Sequence, residues 1–426
     1  MTSISSPESL HPVRLVVTDD LARRRLTVAF RLLLAVPHLV WLALFGVAAS
    51  TLAFVVWVAV LIEGRPPRTL HAFLVSYVRY STHVTAYLCL AAGPYPGFTG
   101  SSAYPVDVEV DGPSRQGRLG AGFRLILAIP AFVLSSTLAG SVALGAGLGV
   151  ASLFAFGSLA LTIGFLGWFA TLVRGGMPRG MRDAAAYACG YAAQVTAYAL
   201  LVTDRYPDST PGRALPAPEL PAHPVLLRVD DDLCRPRLLV AFRLPLAMPH
   251  FFWLTLWLVP ATLAALAGWL FTLVRGRMPS ALHRFLAAYV RYVAHVTAFT
   301  YLVGRPFPGF VGREGSYPID TTIEPPATQG RLGVLARIVL AIPALVLYQA
   351  YAIVLSAVAV LGWLAALFRG RMPSGLRDLG AVAIRYQSQV GAYVLLLTAS
   401  YPDSSPVLRG RPEPDPVVET LAEPTG

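Results

Sequence analysis

The apolar run LLLAVPHLVWLALFGVAASTLAFVVWVAVLI, residues 32–62, decides the fold class of this chain. No charged residue interrupts the run, and from Pro37 to Ile62 it comprises 26 residues. An α-helix rises about 1.5 Å per residue, so about 20 apolar residues cross about 30 Å of hydrocarbon. The run therefore predicts a helix long enough to span a bilayer.

The composition of the whole chain agrees with this prediction. Of the 426 residues, 55% are hydrophobic and 13% are charged, and the mean hydropathy is +0.59. These values exclude a soluble enzyme and a disordered chain, and the sequence has neither a collagen repeat nor the dense cysteine of a disulfide scaffold. An integral membrane protein is the class that remains.

The charge of the chain comes from arginine alone. All 34 basic residues are arginine against 23 acidic residues, which gives a formal charge of +11. The arginines flank apolar runs instead of clustering on a polar domain, so we expect anionic membrane lipids as partners and not nucleic acid. Cys89, Cys189 and Cys234 are widely spaced and form no CxxC pair, so no disulfide framework, metal site or cofactor is predicted.

Short motifs recur along the chain and divide it into four units. HPVRLVV at His11 matches HPVLLRV at His223, and YPVDVEV at Tyr104 matches YPIDTTI at Tyr317. Each start is followed by R-[LI]-x-L-A-x-P, a long apolar run, a glycine and proline turn, and a second apolar segment. We expect the proline of this motif to mark a helix start or a kink near it.

The units alternate in style, as A1, B1, A2 and B2. His11 and His223 are 212 residues apart, and all eight histidines fall in the A units. The predicted boundaries are 11–100 for A1, 104–211 for B1, 223–312 for A2 and 317–406 for B2, followed by a flexible tail at 407–426. Each unit is expected to need its neighbours to bury its apolar faces.

Each unit is predicted to contain one strand and two helices. Val106, Val108 and Val110 alternate with acidic residues, a period of two that is typical of a strand. A lone strand would leave unpaired backbone, so we expect strands of different units to pair. The predicted fold is an α-helical polytopic membrane protein with four helical hairpins, about eight spans, and short strands outside the membrane.

Unit B1 departs from the common length. Pro130 and Pro178 are 48 residues apart, whereas the equivalent prolines of the other units are 30 apart, so 18 residues are extra. They fall in a glycine-rich stretch that includes Gly145 and Gly149. The stretch is interpreted as a lengthened or broken helix, or as a re-entrant or additional span.

The distribution of arginine sets the expected orientation. Arg23, Arg24, Arg25 and Arg31 precede the first span, and no secretory signal precedes them, which favours a cytoplasmic N-terminus. Arginines at the hairpin tips argue for the opposite orientation. We expect a multi-pass protein of the bacterial cell membrane with strands and both termini in the cytoplasm and the hairpin tips on the other side.

The second helix of the unit carries a polar stripe. Arg79, His83 and Tyr87 are four residues apart and therefore lie on one helix face. Arg79 is about 14 Å from the helix start and thus near the bilayer midplane, where an arginine costs about 3 kcal/mol. No acidic residue lies within an apolar segment. The pattern predicts a polar cavity in the membrane that binds an anionic or lipidic ligand. Its expected lining is Arg79, His83, Tyr87, Arg291, His295, Arg385 and Gln389.

Alternatives remain open for these helices. The second helix could lie along the interface with its arginines among headgroups, so that each unit spans once and the A and B strands face opposite sides, or the arginines could bond carbonyls of neighbouring helices. A further set of arginines, one before each apolar run, is expected to reach lipid phosphates. This set consists of Arg31, Arg124, Arg243 and Arg337.

The histidines supply a second functional hypothesis. His38, His83, His250 and His295 are predicted at similar depths, and four imidazoles could bind a metal or relay protons in a membrane enzyme or redox carrier. Metal-bound histidine usually has carboxylate or carbonyl support, and no intramembrane carboxylate is predicted. Packed histidines are therefore favoured.

The assembled unit, with its YPV strand, R-x-x-L-A-x-P start, RGRMP turn and terminal RYPDS, resembles an uncharacterised bacterial membrane family, domain-of-unknown-function family 4389. The resemblance covers all four units, from about Pro12 to Pro406. It implies an integral membrane location and brings no known activity. The expected function is that of a non-enzymatic scaffold or conduit.

Overall fold

The computed structural model describes residues 11–101, 103–140, 157–212 and 223–408. Unit A1 comprises β1 (Val13–Val17), α1 (Arg25–Ala29), α2 (Arg31–Glu63) and α3 (Arg68–Leu88). Unit B1 comprises β2 (Val106–Val110), α4 (Arg118–Gly122), α5 (Arg124–Leu138), α6 (Leu159–Arg174) and α7 (Arg179–Ala199). Most of the glycine-rich insertion, residues 141–156, and the tail from residue 409 lie outside the described residues.

The second pair of units repeats this order. Unit A2 comprises β3 (Val225–Val229), α8 (Arg237–Ala241), α9 (Arg243–Arg275) and α10 (Ser280–Thr300). Unit B2 comprises β4 (Ile319–Ile323), α11 (Arg331–Arg369) and α12 (Ser374–Val394). We call α2, α5 with α6, α9 and α11 the first helices, and α3, α7, α10 and α12 the second helices.

The glycine and proline turns end one helix and start the next. Gly64 follows α2 with a φ of 74°, a left-handed conformation that glycine adopts without a Cβ clash, and its N–H bonds the carbonyl of Val60. Pro67 then precedes α3. The proline of R-x-x-L-A-x-P does not start a helix, however. Pro37 lies inside α2, which already begins at Arg31, so that expectation is wrong for the start of the helix.

The strands pair between units, as predicted. β1 and β2 form an antiparallel two-stranded sheet in which Val13 faces Val110 and Val17 faces Val106. β3 and β4 form a second sheet with the same pairing, Val225 facing Ile323. Each sheet therefore joins an A unit to the B unit that follows it.

Within each pair of units, the strand of one unit packs on the second helix of the other unit. β2 of unit B1 packs on α3 of unit A1, while β1 of unit A1 packs on α7 of unit B1. Val13, Val106 and Val108 are almost fully buried on the helix side of the sheet. On the outer side, Arg14 forms ion pairs with Glu109 and Asp111, whose carboxylates are exposed. The second pair of units shows the same exchange, with β4 on α10 and β3 on α12.

The tip of one hairpin meets the beginning of the neighbouring unit. The N–H of Gln116, in the segment after β2, donates to the carbonyl of Gly64 at 2.9 Å, and the N–H of Met177 donates to the carbonyl of Leu21 at 3.0 Å. Groups in hydrogen-bond contact cannot lie on opposite sides of about 30 Å of hydrocarbon. The expectation that hairpin tips and strand-side segments face opposite compartments is therefore wrong.

The first helices carry the exposed apolar surface. Among the described helices, Arg31–Glu63, Arg243–Arg275 and Arg331–Arg369 are long and apolar enough to cross a membrane, by length and composition. Two shorter apolar helices, Arg124–Leu138 and Leu159–Arg174, complete the set. The second helices are largely buried between the first helices and the sheets. The chain is thus a mostly helical protein with candidate membrane helices and two small sheets.

Candidate functional site

The polar stripe of α3 faces the strand of the next unit. Arg79 Nε donates to the carbonyl of Val108 at 2.8 Å, and His83 Nε2 lies 2.8 Å from Asp107 Oδ1. The ring of Tyr104 packs on the imidazole of His83 with centroids 4.6 Å apart. The stripe therefore bonds backbone and carboxylate groups of the sheet.

Unit A2 repeats this arrangement with more ionic contacts. His295 Nε2 lies 2.8 Å from Asp320 Oδ1. Arg291 donates to the carbonyls of Thr321 and Gly312 and to the carboxylate of Glu314, the last at 3.0 Å. The expectation that no acidic residue lies within the apolar segments is wrong, since buried Asp183 lies in α7 and buried Asp378 lies in α12. The carboxylates that face the stripes of α3 and α10 come from the exchanged strands and from the loop before β4.

The carboxyl groups of these pairs are held in their ionised form. Burial opposes ionisation of Asp107, but hydrogen bonds from His83 and from the N–H of Val108 outweigh it, so the pKa of this carboxyl is lowered. Asp320 has a lowered pKa for the same reasons, with a further bond from the N–H of Gly315. Sequence reasoning missed this pairing. A signal for it existed, because histidine in each A unit recurs together with aspartate in the YPVD and YPID motifs of the B units.

The remaining predicted site residues contact other segments of the chain than β2 and β4. Arg385 donates to the carbonyls of Asp403, Ser405 and Val407, and Gln389 bridges the carbonyl of Val225 and the N–H of Asp403. The ring of Tyr87 lies beneath the guanidinium of Arg31 at 3.9 Å from its centroid.

The predicted common cavity is therefore not formed. Arg79, Arg291 and Arg385 bond three different segments of the chain, β2, β4 with its preceding loop, and residues 403–407. Strand exchange causes this difference, because each sheet covers the face of the helix that carries the stripe. The alternative in which arginines bond carbonyls agrees with the observed contacts.

The four motif arginines are buried instead of exposed to lipid. Arg31 donates to the carbonyls of Tyr87 and Ala92, and Arg243 donates to those of Phe299 and Gly304. In the B units, Arg124 donates to the carbonyl of Thr203 and to Oε1 of Gln116, and Arg337 donates to the carbonyl of Thr398 and to Oε1 of Gln329. All four are at most 5% exposed. The expectation of lipid-phosphate anchors is wrong for these residues, since protein atoms surround their guanidinium groups.

The histidines are distributed over separate partners. His38 Nδ1 lies 2.8 Å from the hydroxyl of Tyr80, and His250 Nδ1 lies 2.7 Å from that of Tyr292. His83 and His295 instead face aspartates. Across the part of the chain that the structure describes, no three residues among histidine, cysteine, aspartate and glutamate are placed to hold a metal ion. The structure does not bring the four histidines into one site.

One large groove lies between the B units, and we call it the α6–α11 groove. It encloses about 940 Å³ between α6 with the start of α7 on one side and α11 with α12 on the other. Its walls are apolar, with Phe165, Phe169 and Val173 on α6 and Val339, Ile342 and Val346 on α11. Its polar groups are Arg174, His223, Arg385, Gln389, Tyr401, Asp403 and Ser404. Of the predicted site residues, Arg385 and Gln389 are thus part of this groove.

Comparison with known proteins gives one match. A model of the family described as a domain of unknown function, DUF4389, matches residues 25–99, 118–209, 237–309 and 331–404. Each matched range lies within one of the four units. No curated protein and no solved structure matches the chain. Since the four matches together cover most of its length, the chain belongs to the DUF4389 family, as four tandem copies.

Proposed function

We propose that this chain is a non-enzymatic protein of the bacterial cell membrane that acts as a scaffold or conduit and binds an anionic or lipidic ligand. The supporting observation is the surface of the first helices. On α2 alone, Leu32, Leu33, Phe54 and Ile62 are each more than 60% exposed. An apolar surface of this extent would make the protein aggregate in water, whereas the acyl chains of lipids cover it and keep it away from water.

The position of the sheets bears on how the chain lies in the bilayer. Eight spans would bring the middle of α3 to the membrane centre, and β2 lies directly beside it through Arg79 and His83. The exposed charges of Glu109 and Asp111 on this sheet require water. We therefore propose that the first helices lie in the hydrocarbon parallel to the membrane plane and that the second helices lie beside them at its aqueous border, with the termini cytoplasmic.

Membrane association and orientation are testable on the full chain. The protein should float with liposomes and resist extraction by carbonate. In a variant lacking the three native cysteines, Arg65→Cys and Ser114→Cys should react with an impermeant maleimide from the same side, because Gly64 and Gln116 are bonded to each other. Labelling of these two positions from opposite sides, or recovery of the protein in the soluble fraction, would contradict the proposal.

A second candidate is a membrane enzyme or redox carrier that uses paired histidines. The observation in its favour is the pair of histidine–aspartate contacts, His83 with Asp107 and His295 with Asp320. A carboxylate on one imidazole nitrogen orients the ring and fixes its tautomer. Metal analysis and the absorbance spectrum of purified protein distinguish the two candidates. Stoichiometric metal or a haem spectrum favours the carrier, and co-purified anionic lipid in their absence favours the scaffold.

A further inference from the structure

We propose that the α6–α11 groove binds one anionic phospholipid, with an acyl chain between α6 and α11 and the phosphate at Arg174. The inference rests on the proposed membrane location and names the ligand of one site. A groove of about 940 Å³ lies within the roughly 300–1,000 Å³ that small-molecule sites enclose.

The walls of the groove are suited to an acyl chain. Phe165 and Phe169 on α6 are 52% and 50% exposed, and Val339 and Ile342 on α11 are 67% and 54% exposed. These side chains belong to the same apolar surface that the first helices present to lipid. An acyl chain can therefore enter sideways from the bilayer and keep apolar contact along its length.

The polar end of the groove has an excess of positive charge. Arg174 is the last residue of α6, is exposed, and has no hydrogen-bond or ion-pair partner among the residues that the structure describes. Arg385 adds a second guanidinium, bound to carbonyl groups. Among the described residues that line the groove, Asp403 alone is acidic, and its carboxylate already accepts the N–H of Ser405. A phosphate at Arg174 would meet a free guanidinium in a partly apolar setting, where charge-assisted bonds are strong.

The internal repeat explains why the groove should hold a single high-affinity lipid. The repeat places an equivalent site between α11 and α5. There Arg369 corresponds to Arg174, and Gln194 corresponds to Gln389. Arg385, however, corresponds to Gly190, which packs against Leu15. The equivalent position thus lacks the second positive charge.

The test uses full-length protein in nanodiscs that contain phosphatidylglycerol with a diazirine in its acyl chain. Irradiation should label peptides from α6 and α11, and unlabelled phosphatidylglycerol should compete, whereas phosphatidylcholine and inorganic phosphate should not. Arg174→Gln should reduce labelling about fivefold, the factor that corresponds to about 1 kcal/mol for one arginine at an anionic surface.

Arg275→Gln is the matched control, because Arg275 ends α9 as Arg174 ends α6 but does not line the groove. It should leave labelling unchanged. Equal loss in both variants would overturn the proposal, since the attraction would then belong to the whole surface, and competition by inorganic phosphate would assign the site to a free anion.

The occupant is identified separately by Phe169→p-benzoylphenylalanine. An adduct with phospholipid supports the proposal, while an adduct with residues 409–426 or with a second copy of the chain overturns it. Flotation of each variant with liposomes is measured in parallel. A variant that floats without specific labelling contradicts the groove site alone, and wild-type protein that does not float contradicts the proposed function.

Discussion

Arg31 Nε donates a 2.5 Å hydrogen bond to the main-chain carbonyl of Tyr87, which lies 56 residues further along the chain. Arg243 makes the same bond to Phe299, again 56 residues away. The carbonyls at the end of a helix have no partner within it and carry partial negative charge. In both A units, the arginine that opens the first helix therefore closes the end of the second helix of the same unit.

Removal of this arginine should destabilise the protein. Arg31→Gln removes a guanidinium that bonds two carbonyls and stacks on Tyr87, and it leaves buried acceptors unpaired. We expect a loss of about 3 kcal/mol in the free energy of unfolding, measured by denaturant titration in detergent micelles. Arg24→Gln is the control, since Arg24 is exposed, and it should change little. Equal stability of the two variants would contradict the structural role of Arg31.

Acid should weaken the contact between α3 and β2. Since the folded pKa of Asp107 is lowered, the ionised carboxylate of Asp107 adds stability above the ordinary aspartate pKa of about 3.9, and this stability is lost as the pH falls below that value. Asp107→Asn should reduce stability at pH 7 by about 1–3 kcal/mol and should flatten the stability curve below pH 4. The measurement is the free energy of unfolding between pH 3 and pH 7. An unchanged acid slope in the variant would argue against the pair.

A second pH dependence is expected near pH 6. His11 Nδ1 accepts the N–H of Val13, and burial, with a contribution from the charge of Arg205, lowers the pKa of this imidazole, although the carboxylate of Asp208 acts in the opposite direction. The unfolded chain therefore binds the proton first, and stability falls as the pH drops below about 6.5. The stability that the neutral imidazole of His11 contributes is fully present above that pH.

His11→Asn separates the charge from the hydrogen bond. An asparagine side chain can accept the N–H two residues on, so the bond to Val13 is kept while the titrating group is lost. The variant should lose less stability than wild-type protein between pH 7 and pH 5.5, as followed by thermal unfolding. Identical pH profiles for the two proteins would refute the assignment.

Gly100 is expected to be intolerant of any side chain. It has a φ of 64°, and a Cβ at this position would overlap the carbonyl oxygen of Ser76 on α3. Gly100→Ala should therefore cost at least about 2 kcal/mol, because backbone would have to move. Gly120→Ala is the matched control, since Gly120 is helical with open space around it, and it should be neutral or slightly stabilising. Thermal unfolding of both variants checks the difference, and similar melting temperatures would be inconsistent with the close approach of this loop to α3.

Local signals account for much of the fold. Uninterrupted apolar runs predict the first helices, since a helix satisfies its own backbone bonds, and the glycine before each proline turn predicts their ends. The period of two in residues 106–110 predicts a strand whatever its partner. The end of the second helix was not predictable in this way. Leu90 adopts a φ of 63° there, a conformation in which glycine is usual, and it is held by burial of its side chain.

The sequence by itself determined the repeats, the helices with their turns, the strands, and the family to which the chain belongs, because each depends on residues close together in the chain. Only the tertiary structure decided the partners of the polar groups. Asp107 meets His83, and Arg31 meets Tyr87, because the strands are exchanged between units and the hairpin tips meet neighbouring units. Such contacts depend on how preformed helices pack, and no local pattern of residues specifies that packing. The same packing forms the α6–α11 groove from units that are far apart in the sequence.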